Sequence, residues 1–103
     1  MHEAALFRDL HRALARLAGA HPRDRIVRAT VRIGPLGHVA PETLRGEWPT
    51  ITRGTGADGA ELVVETTDDM TDAAAGGLLL ASVALAPSGP ARPNVEDPTE
   101  GAD

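Results

Sequence analysis

Cysteine is absent from the 103 residues. That excludes disulfides, thiolate zinc sites and cysteine nucleophiles together. Aromatics are nearly absent: Phe7 and Trp48 stand alone, with no Tyr. The core must be built from Leu, Val, Ile and Ala, which predicts a small domain of modest stability. Lysine is missing too, and all ten basic residues are Arg. No run of about 18 apolar residues occurs, so no membrane-spanning helix is expected. The opening Met1-His2-Glu3 lacks the basic start of a secretory signal, and the chain is read as cytoplasmic.

The remaining composition suits one compact domain. The chain is 42% hydrophobic and 24% charged, which argues against wholesale disorder. The net charge of −5 is uneven. Residues 1–56 hold nine Arg against five acids (+4), and residues 57–103 hold one Arg against ten acids (−9). No basic stripe is interleaved with aromatics, so no nucleic-acid partner is expected.

Ala4 to Ala18 reads as an amphipathic helix. Leu6, Leu10, Ala13, Leu14 and Leu17 form its apolar stripe, and Arg8, Arg12 and Arg16 form a charged row. Gly19 and Pro22 supply the stop. Arg25 to Ile33 alternates as a half-buried strand, with Val27, Ala29, Val31 and Ile33 on one face. Pro41-Glu42 opens a second helix carrying Leu44, Trp48 and Ile51. Pro49 interrupts it at a cost of about 3 kcal/mol, so a stop or kink is expected near Glu47. Ala60 to Glu65 and Leu78 to Ala86 read as strands, with Thr66 to Gly77 as an acidic connection. Residues 87–103 carry four prolines and four acids, and read as a disordered tail after a domain at residues 1–86. The fold class is α+β: two helices on one face of a small three-stranded sheet, in the order α-β-α-β-β.

No nucleophile–base–orienter set can be read, so the chain is not expected to be an enzyme. Gly54-Thr55-Gly56 has no following Lys-Ser/Thr, and a hairpin loop is the better reading than a phosphate cradle. Asp68, Asp69 and Asp72 read as a solvated acidic loop rather than a cation site. His11 flanks the apolar stripe and suits the edge of the core, and His21 suits an exposed turn.

The terminus has a chemistry of its own. A His at position two offers three nitrogens: the Met1 amine, the His2 amide and the His2 imidazole Nδ1. These close small rings around a square-planar Ni(II) or Cu(II) ion. Glu3, or a group brought in by the fold, can fill the fourth position. The arrangement needs an unblocked amine.

Three further segments bear on that site. The run from Val31 to Arg45, through Gly34-Pro35-Leu36-Gly37-His38-Val39-Ala40-Pro41-Glu42, resembles a strand–turn–helix segment of the HypA/HybF family. These are nickel metallochaperones of hydrogenase maturation. Thr52-Arg53-Gly54-Thr55 through Ala57-Asp58-Gly59-Ala60-Glu61-Leu62 is similar to the family's helix end, loop and next strand. Gly77 to Val83 is similar to its closing strand, and Met1-His2-Glu3 to its opening.

The resemblance implies capture of Ni(II) by Met1, His2 and Glu3. It implies delivery to a [NiFe]-hydrogenase large subunit with a maturation GTPase, or to urease machinery. The chain would act as a monomer or weak homodimer. Two departures stand out. The family's zinc module, two CxxC pairs, is reduced here to the linker 66–76 without Cys, so zinc is not expected. An acid common near the start of the second helix is replaced by Ala40, leaving His38 and Glu42 as weaker metal candidates. The alternative reading is a metal-free interaction module, docking on the GTPase or hydrogenase subunit through Arg8, Arg12 and Arg16.

Overall fold

A computed structural model describes residues 2–87, apart from the His2 side chain; Met1 and residues 88–103 lie outside it. Helix α1 spans His2–Ala20, strand β1 Asp24–Ile33, helix α2 Pro41–Thr52, strand β2 Glu61–Thr66 and strand β3 Leu78–Pro87. The element order is the expected one. The expected disordered tail falls outside the described residues, except that Pro87 closes β3.

The sheet order is β2-β1-β3. β1 pairs parallel to β2 and antiparallel to β3. Parallel neighbours need a crossover, and α2 supplies it. The Gly54–Gly59 loop therefore joins a helix to a parallel strand, which corrects the hairpin reading. Sequence punctuation marks a turn but not the direction of the strand that follows.

Both helices cover the β1 face that carries Ile26, Ala29, Val31 and Ile33. Leu10 and Leu14 of α1 meet Leu44, Trp48 and Ile51 of α2 over it. Leu14, Ile26, Leu44 and Val31 are the largest wholly buried side chains. Each contributes about 1.5–3 kcal/mol by leaving water.

The expected face of β1 needs one change: Ile26 is buried and Val27 is not. Ile26 pairs with Leu85 but Arg28 with Ala84, so Val27 is an extra residue, a bulge. The bulge shifts the alternation and turns Ile26 inward. A second register shift, between Thr30 and Val31, leaves Ala81 as the extra residue on β3.

The expected stop near Glu47 also fails, because α2 runs through Pro49 to Thr52. Pro49 faces solvent, so water can reach the Arg45 carbonyl that loses its donor. The last turn carries buried Ile51 and Thr52. Trp48 donates its indole N–H to the Ala60 carbonyl at 2.8 Å, within the core. Two large side chains and one buried hydrogen bond outweigh a cost of about 3 kcal/mol. The Thr52 hydroxyl also donates to the Trp48 carbonyl at 3.0 Å.

The acidic connection is a folded loop. Asp72 accepts from Arg32 Nη1 at 3.2 Å and from the Ala74 amide at 2.8 Å. Ala74 is buried, and its carbonyl lies against Gly34 with no room for a Cβ between them. Gly34 N–H donates to the Gly77 carbonyl (2.9 Å), and Leu36 N–H to the Ala75 carbonyl (3.0 Å). The loop thereby closes onto the turn that follows β1.

Candidate metal centre

Among the described residues, His2 and Glu3 sit on the start of α1, Glu42 on the start of α2 and His38 in the turn before it, and connectivity brings both starts to one end of the sheet. α1 joins the amino end of β1 through the short turn at 21–23, so its own start lies towards the carboxyl end. Leu6, one turn after His2, packs on Gly77, where a Cβ would stand 2.7 Å from Leu6 Cδ2. Gly77 in turn lies against Gly37, the neighbour of His38. α2 leaves β1 through residues 34–40 and also starts there. In open α/β sheets, this carboxyl end is where ligands usually bind.

His2 is the first residue of α1. The first four amide N–H groups of a helix have no acceptor within it. The His2 amide can therefore lose its proton to a metal without breaking a helical hydrogen bond. The helix dipole acts in two directions here. It stabilises a deprotonated, anionic amide and opposes a cation. Glu3, half-buried in the first turn, supplies compensating negative charge. Met1 and the His2 side chain lie outside the described residues.

His38 is exposed and holds φ at 56°, in the left-handed region. Outside glycine this conformation costs about 1–2 kcal/mol, and such costs concentrate at functional sites. Gly37 before it lies so close to Gly77 that a Cβ would stand 2.7 Å from the Gly77 carbonyl oxygen. The turn is held from both sides, which fixes where His38 emerges. Glu42 is exposed in the first turn of α2, after Pro41. Ala40 caps this helix without a side-chain bond.

The other histidines have different surroundings. His11 Nδ1 donates to the Ile51 carbonyl at 2.8 Å, tying α1 to an otherwise open carbonyl at the end of α2. This is the core-edge role the sequence suggested. His21 is exposed in the α1–β1 turn, also as expected.

The acids of the connection have specific partners that spacing did not reveal. Arg32 bridges Glu65 at 3.1 Å and Asp72 at 3.2 Å, and its pKa is raised chiefly by the hydrogen bond to Glu65. Asp69 accepts from the Thr71 hydroxyl and amide, which lower its pKa. A zinc module of the CxxC type does not fit here. The connection offers no thiolate, and two of its carboxylates are committed to Thr71 and Arg32.

The Gly54–Gly59 loop caps α2 instead of cradling an anion. Asp58 accepts from the Gly54 amide (3.1 Å) and the Thr55 amide (3.3 Å), and its pKa is lowered chiefly by the Gly54 N–H. No described helix is long and apolar enough to cross a membrane.

Comparison with known proteins agrees with this architecture. Residues 1–72 match the family described as "Hydrogenase/urease nickel incorporation, metallochaperone, hypA". The chain is 38% identical over 64 residues to the hydrogenase maturation factor HypA of Xanthobacter autotrophicus (strain ATCC BAA-1158 / Py2). That alignment covers 62% of this chain and 57% of the relative, so the chain spans little more than half the length of that protein. The family match takes in α1, β1, α2, β2 and most of the loop that closes on Gly34, and the chain belongs to the HypA family.

Proposed function

We propose that the protein is a cytoplasmic carrier of Ni(II). It holds the ion through the Met1 amine, the His2 amide nitrogen and the His2 imidazole Nδ1. Glu3 or a group from the same end, His38 or Glu42, completes the coordination. One observation carries the reading: the family match starts at residue 1 and includes Met1-His2-Glu3. The common end of the two helix starts supports it.

Nickel is cargo here, and the chemistry suits cargo. Binding needs a deprotonated amide and a neutral imidazole, so protons compete with the metal. The adjacent helix dipole weakens the hold on a cation. An ion held this way can be passed on. The recipients are the [NiFe]-hydrogenase large subunit or urease machinery, with a maturation GTPase as helper. Zinc has no part in the scheme.

A second reading is favoured by the missing thiolates. Without the zinc module, the chain could retain only the docking role, as a metal-free module on the same partners. Calorimetric Ni(II) titration of untagged protein separates the two. The carrier reading expects one-to-one binding, lost in His2→Ala and in a one-Gly N-terminal extension. Binding indifferent to both changes would contradict it, and absence of binding would leave the docking module.

A further inference from the structure

The two edges of the sheet are built differently. β2 is short, and its solvent face carries Glu61 and Glu65, paired with Arg28 and Arg32. Charges of this kind discourage a further strand from adding. β3 has ten residues and no charge. Leu78, Leu80, Val83 and Leu85 pack towards the helices. Their register partners on β1 share that face, which leaves Leu79, Ser82, Ala84 and Ala86 on the other side. None of the ten is buried. β1 takes one side of the β3 main chain, and no described strand takes the other.

Beside this open edge, α1 and β3 bound a groove of about 590 Å³. Leu6, Leu17, Leu78 and Leu80 line it, with exposed Asp9 and Arg16 on its helical wall. Asp9 and Arg16 are seven residues apart, two turns, so both lie on one flank about 10 Å from each other. Neither is in an ion pair among the described residues.

We propose that β3 and this groove form the interface between two copies of the chain. In an isologous contact, residue i meets j while j meets i. Antiparallel β3–β3 pairing reverses the partner's α1 as well. Asp9 of each copy then faces Arg16 of the other, with the leucines enclosed between them. The flank is complementary in charge to its own two-fold image, which selects a second copy over an unrelated strand. The sheet becomes six-stranded, with both outer edges protected by Glu61 and Glu65. This inference does not depend on nickel binding.

Sedimentation of the full-length protein from micromolar to millimolar concentration tests it. Wild type should show a monomer–dimer equilibrium. Arg16→Glu places two acids at each contact and should weaken dimerisation about tenfold or more. Asp9→Arg combined with Arg16→Asp restores opposite charges and should return the dissociation constant to near wild type. Ala84→Lys guards the strand on its solvent face and should also favour monomer. All three sites of change lie off the buried core, and far-UV circular dichroism confirms the fold of each variant. A monomer at every concentration would overturn the proposal. So would a dimer indifferent to Arg16→Glu and Ala84→Lys, or a charge swap that fails to restore association. A monomer whose β3 amides resist hydrogen exchange would show instead that another part of the chain covers the edge.

Discussion

Replacing Gly34 with Ala tests whether the short connection is a structural part of the candidate metal end. A Cβ at Gly34 would overlap the Ala74 carbonyl oxygen, and it would stand 2.5 Å from its carbon and 2.7 Å from Ala75 Cα. All three contacts are with main chain, so no side chain can rotate away. Gly34 is not in the left-handed region, so alanine meets no backbone penalty there, and the effect isolates the steric overlap. The loop must lift off the turn. Overpacking of this kind costs about 1–3 kcal/mol. Lifting the loop also loosens the Gly34–Gly77 and Leu36–Ala75 hydrogen bonds, at about 0.5–1.5 kcal/mol each. The sum is roughly 2–6 kcal/mol, a large part of the 5–15 kcal/mol typical of a domain. Trp48 is the sole Trp and is buried, so its fluorescence reports unfolding in urea. The variant should show a much lower midpoint. A loss below about 0.5 kcal/mol would refute the interlock, because it would mean the loop does not bear on the turn.

Other substitutions test other parts of the account. Gly46 lies exposed inside α2 with open space around it, so Gly46→Ala should raise stability by about 0.5–1 kcal/mol in the same urea assay. Trp48→Phe keeps most of the apolar volume but leaves the buried Ala60 carbonyl without its donor; thermal unfolding should show a loss of about 1–3 kcal/mol. Asp58→Asn should flatten the acid side of the stability profile. The Asp58 pKa is lowered in the folded chain, so its contribution is complete above the ordinary value of 3.8 and fades as pH falls through the folded value. Wild type and variant should therefore converge at low pH and separate above it.

The parts of the fold that follow from periodicity were legible. The Leu10 and Leu14 stripe and the alternation from Ala29 to Ile33 occupy the expected faces. The sequence misled where tertiary packing overrode a local rule. Pro49 breaks a helix in isolation, but Trp48 and Ile51 are anchored on either side of it. Val27 reads as inward until a bulge, invisible in alternation, hands the position to Ile26. Asp72 reads as solvated because its partner, Arg32, is 40 residues away. The proposed terminal chelate rests on the sequence for another reason. Its three nitrogens are adjacent in the chain, so no folding is needed to bring them together. Whether His38 or Glu42 joins them depends on side-chain reach at the common end, which spacing does not encode.

The terminal chelate is tested most directly by the visible spectrum of the Ni(II)-loaded protein as pH is varied. A square-planar site of amine, amide and imidazole nitrogens should give a yellow, diamagnetic complex. Its absorption should fade as pH drops through the imidazole range, about 6.5. It should be absent from His2→Ala and from the N-terminally extended chain. A spectrum of six-coordinate Ni(II), unchanged by either alteration, would contradict the chelate and place the metal elsewhere on the protein.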